Sequence, residues 1–275
     1  MKWQELIQNS AWIVDDLLTF NECEYFLNKA TEAGISKKKA LGDVRHRNSQ
    51  HTSFDDVDMA EKIYERIKNY IPQEIIVKQD CENNGLKHSK NELYGRWVPY
   101  GLNYRWRVIC YPGVGHFGPH RDGCHIVDEN NRSLITINGY LTDRPTGFGG
   151  ATRFLNDAID LSLNADGLFT TSDDDVLHRV EADKAGKAVV FLHDLMHDGE
   201  PLKEGSPPKW LFRTEIMFKR DPESAPQMTC EQKEARKLLK EAEISEMQGD
   251  IMEAIKLYNR AYKLDISLDY GAGDI

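Results

Sequence analysis

Residues 105–122 read RWRVICYPGVGHFGPHRD, and this stretch decides both the fold class and the candidate chemistry. Its first part, RWRVICY, is apolar and rich in strand-forming residues, and Pro112-Gly113 ends it with a turn. Its last part carries His120 and Asp122, separated by one residue. In an extended segment alternate side chains share a face, so this imidazole and carboxylate point the same way. The stretch therefore predicts a strand, a turn and a candidate pair of metal ligands.

Several more short strands are predicted between about residues 104 and 219. Clusters of glycine, proline and aspartate separate them, such as Arg144-Pro145 and Gly147–Gly150. Many short strands with this punctuation favour a β-barrel or jelly roll. The predicted strands are Arg105–Tyr111, Ser133–Leu141, Ala188–His193 and Trp210–Phe218.

A third metal ligand is available after the apolar run Ala188–Leu192, where His193 and His197 follow. Two imidazoles and one carboxylate on one side of an iron ion form a facial triad, which leaves adjacent positions for a co-substrate and dioxygen. Mixed nitrogen and oxygen ligands suit Fe(II). Both histidines are candidates at this point. His116 and His125 flank the first pair and are interpreted as loop or supporting residues.

Two cations share one face of the last predicted strand. Lys209 and Arg213 lie at alternate positions, twelve and sixteen residues after His197. At this distance either can reach the distal carboxylate of a dicarboxylic co-substrate, arginine as a bidentate fork and lysine as a point charge. On an earlier strand Asn138 and Tyr140 share a face, and a buried amide needs hydrogen-bond partners that a polar ligand would supply.

Four ordered blocks carry a resemblance to a known family: GLNYRWRVICYPGVGHFGPHRDG, SLITINGYLTDRPTGFGGATRF, AGKAVVFLHDLMHDGEPLKEG and KWLFRTEIMF. Together they resemble the Fe(II)/2-oxoglutarate dioxygenase superfamily, in particular its prolyl 4-hydroxylase-like branch. The resemblance implies an α+β fold with a mainly β core: a double-stranded β-helix (jelly roll) flanked by N-terminal helices, followed by a C-terminal helical hairpin. The expected domains are a helical support region over 1–95, the oxygenase core over 96–220, a linker over 221–228, and a helix pair with tail over 229–275.

The resemblance also implies the iron ligands. They are His120, Asp122 and His197, and His197 is preferred over His193 because it directly precedes the DGEP motif.

The co-substrate pocket is implied in the same way. By alignment the cation that binds 2-oxoglutarate falls at Lys209, and Arg213 is the second candidate. Tyr111, Asn138 and Tyr140 are expected to line the pocket.

The implied activity is hydroxylation of a protein residue, for example a prolyl residue, or of a small molecule. Its co-substrate 2-oxoglutarate is decarboxylated to succinate, the metal is Fe(II), and ascorbate is the expected reductant. Two other hypotheses are carried beside it. One is a non-catalytic scaffold or adaptor that acts through the C-terminal helices, and the other is a zinc-dependent hydrolase on a similar barrel.

The two ends of the chain are predicted to be helical. Asn21 is a candidate cap for a helix around Tyr25, and a second helix is expected over Asp58–Tyr70, before Pro72. Residues 248–265, QGDIMEAIKLYNRAYKLD, resemble the second half of a tetratricopeptide repeat. At least three repeats are normally needed to bury a core, so this helix pair is expected to pack on the main domain, to pair with another protein chain, or to be only marginally stable.

Charge, hydropathy and cysteine content indicate which classes of partner and which cellular compartment to expect. The 275 residues carry a net charge of −10, which disfavours nucleic-acid binding. No apolar run approaches the roughly 20 residues that span a bilayer, and the N-terminus lacks the pattern of a secretory signal. The five cysteines form no CxxC motif. A cytoplasmic or nuclear protein with reduced thiols and no membrane partner is expected.

Overall fold

The computed structural model describes residues 1–35, 43–78, 93–157, 163–164, 167–225 and 227–268. These residues fall into two compact units, 1–225 and 226–275. In the first unit the described helices are α1 (Phe20–Glu32) and α2 (Val57–Ile67). The described strands are β1 (Lys2–Ile7), β2 (Ala11–Asp15), β3 (Arg47–Asn48), β4 (Gln50–Asp55), β5 (Ile75–Val77), β6 (Gly95–Leu102), β7 (Arg105–Tyr111), β8 (His116–His120), β9 (Ile126–Asp128), β10 (Asn131–Tyr140), β11 (Thr152–Leu155), β12 (Val176–Val180), β13 (Ala188–Leu192), β14 (His197–Gly199) and β15 (Lys209–Arg220).

The strands form two antiparallel sheets, as expected for a double-stranded β-helix. The large sheet has the order β1-β2-β13-β10-β15-β6-β5, with β7 also beside β15, β4 beside β7 and β9 beside β10. The small sheet has the order β12-β11-β14-β8-β3. The predicted jelly roll with a mainly β core is confirmed.

The four strands predicted from apolar runs are all present. β7 has the predicted bounds, and β10, β13 and β15 differ from theirs by at most two residues at either end. All five side chains of β13 are buried, because this strand lies between β2 and β10 in the middle of the large sheet. A continuous apolar run is typical of such a strand.

The N-terminal region is mixed rather than helical as predicted. β1 and β2 form a hairpin, and β2 extends the large sheet by pairing with β13. The predicted cap Asn21 is also wrong, because helix α1 begins at Phe20. Thr19 is its N-cap: the Thr19 hydroxyl accepts a hydrogen bond from the backbone N–H of Glu22, and the Glu22 carboxylate accepts one from the backbone N–H of Thr19. Asn21 therefore lies inside the first turn.

Helix α1 packs against the strands that will carry the site. The Phe26 ring stacks on Phe212 of β15 with ring centroids 4.9 Å apart, and Trp106 of β7 lies 5.0 Å from Phe26. All three side chains are fully buried. Buried aromatic groups of this size dominate the free energy of a core, so this cluster fixes β7 and β15 relative to each other.

Gly139 gives a stability test of this packing. A Cβ at this position of β10 would lie 2.1 Å from Cε1 of Phe212, and the aromatic cluster leaves that ring no room to move. We expect Gly139→Ala to lower the free energy of unfolding by about 1–3 kcal/mol, the usual cost of overpacking. The measurement is urea unfolding. Gly101→Ala on β6 is the matched control, because a Cβ there meets nothing within 4 Å, and its stability should not fall.

The second unit contains α3 (Cys230–Met247) and α4 (Ile251–Leu264). The two helices pack through Leu238, Ala242, Leu257 and Ala261. The predicted helical hairpin is thus present, whereas its relation to tetratricopeptide repeats stays a prediction. Among the described residues, no helix has the length and apolar character needed to span a membrane.

The polar sequence Gln79–Gly95 predicts a loop, and residues 79–92 of this segment lie outside the described part of the chain. The predicted linker 221–228 spans the division between the two units and contains a short 3₁₀ helix over Pro222–Ser224.

Candidate metal centre

Three predicted ligands converge where two strands of the small sheet meet. His120 is the last residue of β8, His197 is the first residue of β14, and the two are direct partners in the sheet. Asp122 follows β8 by two residues. The Nε2 atoms of His120 and His197 lie 3.7 and 3.8 Å from the Asp122 carboxylate oxygens. One ligand atom from each residue lies within 4.8 Å of the other two.

Both imidazoles are oriented by their second nitrogen. Nδ1 of His120 donates to the backbone carbonyl of Gly118 at 2.8 Å, and Nδ1 of His197 donates to that of Leu195 at 2.9 Å. A carbonyl oxygen can only accept, so both Nδ1 atoms carry the proton and both Nε2 atoms keep a free lone pair. Ligating histidines are held in this way in metal sites. Burial lowers the pKa of His120 to about 3, which keeps its ring neutral, as a ligand must be.

The Asp122 carboxylate is held ionised by its neighbours. The Thr136 hydroxyl donates to Oδ2 at 2.7 Å, and Nη2 of Arg213 lies 3.3 Å from Oδ1. Burial raises the pKa of the Asp122 carboxyl, but the positive charge of Arg213 favours the ionised form, and the pKa lies well below its usual range. Two imidazoles and one carboxylate are the donor set that Fe(II) accepts, so these residues fit the implied iron.

The other histidines near the site do not join this group. His193 is buried at the end of β13, and neither of its ring nitrogens has a hydrogen-bond partner. Nε2 of His116 donates a hydrogen bond of 2.9 Å to the backbone carbonyl of Arg45. His125 is exposed. Within the described residues, only His120, Asp122 and His197 form a group with metal-binding geometry.

The large sheet supplies the opposite wall of a pocket. Asn138 of β10 lies opposite Arg213 of β15, which lies opposite Arg107 of β7. In another row Lys209 of β15 lies opposite Tyr111 of β7. All five side chains line the same pocket as the three candidate ligands.

Lys209 is a buried cation without a counter-charge. Its Nζ lies 5.3 Å from the Tyr111 ring centroid and 5.6 Å from that of Tyr140. Within the part of the chain that the structure describes, Nζ makes no hydrogen bond or ion pair. Burial, with a smaller contribution from the Arg144 charge, lowers the pKa of Lys209 to about 7.

Arg213, the second candidate cation, already has partners. Its Nη2 contacts Asp122, lies 3.5 Å from Oε1 of Glu215 and donates to the carbonyl of Gly123 at 3.2 Å. The two candidate cations for 2-oxoglutarate therefore differ in their contacts. Arg213 contacts a candidate iron ligand, whereas Lys209 forms no ion pair with a described residue.

The remaining predicted pocket residues have different roles. The carboxamide oxygen of Asn138 is buried and has no hydrogen-bond partner, as expected of a group that awaits a polar ligand. The ring of Tyr140 faces Lys209, whereas its hydroxyl shares a hydrogen bond of 2.9 Å with the Thr152 hydroxyl. Tyr111 is buried and lines the pocket.

Two arginines of the pocket were missed from the sequence. Arg107 lies four residues before Tyr111 on β7, so strand alternation already places it on the pocket face. Arg47 belongs to β3, whose pairing with β8 brings together residues about seventy positions apart, and no local pattern indicates this pairing.

One family model matches the part of the chain that carries the candidate site. The 2OG-Fe(II) oxygenase superfamily matches residues 106–214. No curated protein matches the sequence. Solved structures that resemble this chain include a collagen prolyl hydroxylase of Paramecium Bursaria Chlorella virus-1 in complex with 2OG, with 18% identity, coverage of 76% of this chain and 96% of that chain, and a TM-score of 0.42.

Two further structures are prolyl hydroxylases. The Pseudomonas putida prolyl-4-hydroxylase has 15% identity, a TM-score of 0.45 and coverage of 78% of this chain and 94% of its own. The Trichoplax adhaerens prolyl hydroxylase, in complex with a hypoxia inducible factor peptide fragment, has 13% identity, a TM-score of 0.47 and coverage of 76% and 84%. The family match spans strands of both sheets and all three candidate ligands, and it indicates an Fe(II)- and 2-oxoglutarate-dependent dioxygenase.

Proposed function

We propose that His120, Asp122 and His197 hold the catalytic iron of this dioxygenase. The observation that carries this assignment is the approach of their three ligand atoms to within 4.8 Å, with both Nδ1 atoms tied to backbone carbonyls. When bound, iron and 2-oxoglutarate supply oxidative decarboxylation of the co-substrate to succinate and carbon dioxide, coupled to hydroxylation of a substrate C–H bond. The protein residues supply binding, orientation and charge.

Around the metal position, Thr136 and Arg213 orient the Asp122 carboxylate. The Thr136 hydroxyl donates to Oδ2, and Arg213 approaches Oδ1. Partners of this kind hold a ligand in one rotamer and keep it ionised. We therefore assign Arg213 a positioning role at the iron ligand.

Lys209 is the proposed anchor for the distal carboxylate of 2-oxoglutarate. Its ammonium is buried between two aromatic rings and lacks a counter-charge. A carboxylate that enters this water-poor space gains a charge-assisted hydrogen bond and restores the charge balance of the site. The Asn138 carboxamide lines the same pocket, and its NH2 group can donate to a bound carboxylate.

The lowered pKa of Lys209 makes co-substrate binding dependent on pH. In the free protein its pKa is about 7, and a bound carboxylate stabilises the charged form. Binding therefore takes up a proton above pH 7, and we expect the Kd for 2-oxoglutarate to rise by up to about tenfold per pH unit above pH 7. The measurement is calorimetric titration of the Mn(II)-loaded protein between pH 6 and 9.

Lys209→Arg is the control for the pH profile, because a guanidinium stays charged throughout this range. The Kd of the Lys209→Arg variant for 2-oxoglutarate should therefore not rise tenfold per pH unit above pH 7. A wild-type Kd that is constant from pH 6 to 9 would contradict the assignment of Lys209 as the anchor.

Formation of succinate tests the activity itself. We expect the protein to convert 2-oxoglutarate to succinate in the presence of Fe(II) and oxygen, and to lose this activity when either is omitted. A scaffold predicts that the folded, iron-loaded protein forms no succinate. A zinc hydrolase predicts turnover with zinc and without oxygen.

We propose that the oxidised substrate is a protein residue or a small molecule. Membership of the prolyl 4-hydroxylase-like branch stays a prediction from the four sequence blocks. Ascorbate is the proposed reductant that keeps the iron ferrous.

A protein partner at the C-terminal helices stays a prediction. It is supported by apolar side chains exposed around the turn between α3 and α4: Ile244, Met247, Ile251, Met252 and Ile255.

A cytoplasmic or nuclear location also stays a prediction. It is supported by four free cysteines, of which Cys23 and Cys110 are buried and Cys124 and Cys230 are exposed.

A further inference from the structure

Three guanidinium groups line the pocket beside the metal centre. Arg107 and Arg213 are direct cross-strand partners on β7 and β15, and both line the pocket. Arg47 of β3 contributes the third. Like charges directly opposite each other destabilise a sheet, so this pair costs the fold free energy. The chain as a whole carries a net charge of −10, so a cluster of three arginines in one pocket is unexpected from its composition.

Among the residues that the structure describes, carboxylate partners are present for only one of the three guanidinium groups. Arg213 is engaged with Asp122 and Glu215. Arg47 donates from Nε to the Ser49 hydroxyl at 2.8 Å and forms no ion pair with a described residue. Arg107 is half-buried, and within the described residues it makes neither a hydrogen bond nor an ion pair. Two positive charges of the pocket therefore remain uncompensated, and burying an unpaired charge is unfavourable.

Both charges line the pocket of the candidate metal centre, and Arg107 lies apart from the co-substrate anchor. The Arg47 guanidinium lies 4.4 Å from the Phe117 ring centroid, and the Phe117 ring stacks on the His120 imidazole at 3.6 Å. Arg107 is four residues from Tyr111, the partner of Lys209, which is about 13 Å along the strand. A group bound at Arg107 is thus distinct from the 2-oxoglutarate carboxylate bound at Lys209.

We propose that Arg107 and Arg47 bind an anionic group, a carboxylate or a phosphate, of the substrate that is oxidised. This inference rests on the proposed function and narrows it to acidic substrates. The planar guanidinium fork matches the oxygens of both groups bidentately. An anion there compensates the two free charges and relieves the repulsion between Arg107 and Arg213.

Anion binding to the full chain tests the proposal. The protein is loaded with Mn(II) and 2-oxoglutarate without oxygen, so that the metal site and the Lys209 site are filled. Inorganic phosphate and acetate are then titrated separately by calorimetry at constant ionic strength. We expect one of them to bind, and the preferred probe distinguishes a phosphorylated substrate from a carboxylic acid. Binding of neither probe to the wild-type protein would overturn the proposal.

Arg107→Gln should weaken the Kd of the preferred probe by at least about tenfold, because a charge-assisted hydrogen bond is lost. The matched control is Arg105→Gln, which removes the same charge from an exposed position on the same strand. Its Kd should equal that of the wild type. An unchanged Kd in Arg107→Gln would overturn the proposal.

Thermal unfolding separates ligand binding from a structural role. Without added anions, Arg107→Gln should unfold at the same or a higher temperature than the wild type, because a like-charge pair is removed. A clearly lower Tm would assign Arg107 to the fold and overturn the proposal. Iron-dependent succinate formation on the same preparation tests the proposed function separately, since it does not depend on anion binding at Arg107.

Discussion

Asp122→Ala is expected to abolish iron binding and succinate formation while the fold is retained. The substitution removes the only carboxylate of the candidate triad and leaves Arg213 facing the metal position. Residues that merely orient a ligand are worth 10- to 100-fold in metal affinity, so loss of the ligand itself should weaken binding by at least about 100-fold. Iron content after equilibrium dialysis and succinate formation are the measurements, with circular dichroism as the check of folding.

The matched control for this variant is Asp174→Ala. Asp174 is an exposed acid in the short 3₁₀ helix Asp173–Asp175. Its removal should leave iron content and turnover unchanged. Retained iron in Asp122→Ala would contradict the ligand assignment.

The histidine choice is tested in the same experiment. His197→Ala should lose iron, and His193→Ala should keep it, because only His197 lies within the group of ligand atoms. Loss of iron in His193→Ala with retention in His197→Ala would show that the third ligand is His193 and would contradict the assignment of His197.

Lys209→Met is expected to raise the KM for 2-oxoglutarate by about 10- to 100-fold, the worth of a charged hydrogen bond. Iron binding should be unaffected, since Lys209 contacts none of the three ligands. Methionine has a similar length and suits the apolar space between Tyr111 and Tyr140, so the variant should fold. Steady-state succinate formation at varied 2-oxoglutarate concentration gives the KM.

Arg213→Gln provides the comparison, because the two cations share a strand face. We expect it to weaken iron binding, through the Asp122 carboxylate that Arg213 contacts, more than it raises the KM for 2-oxoglutarate. The opposite pattern, with a KM increase in Arg213→Gln and none in Lys209→Met, would move the anchor to Arg213.

Much of the site was predictable because its determinants are local. The His-x-Asp spacing puts two ligands on one face of an extended segment, and the apolar run of β13 precedes the third ligand. Strand alternation places Lys209 and Arg213 on one face of β15, as the sequence predicts. The same rule applied backwards from Tyr111 would have found Arg107.

Other features depend on contacts distant in the chain. The choice between Lys209 and Arg213 rests on which of them meets Asp122, and this follows from how the two sheets face each other. Arg47 reaches the pocket only through the pairing of β3 with β8. The β1–β2 hairpin was missed because β1 is largely exposed and carries a weak apolar pattern, and because β2 joins the large sheet only through its pairing with β13.

A crystal structure of the protein grown with Fe(II) and 2-oxoglutarate in the absence of oxygen tests the central assignment most directly. The expected result is one iron ion bound by Nε2 of His120, the Asp122 carboxylate and Nε2 of His197, with the distal carboxylate of 2-oxoglutarate within hydrogen-bond distance of Lys209 Nζ. Iron bound elsewhere, or bound without any one of these three side chains, would contradict it.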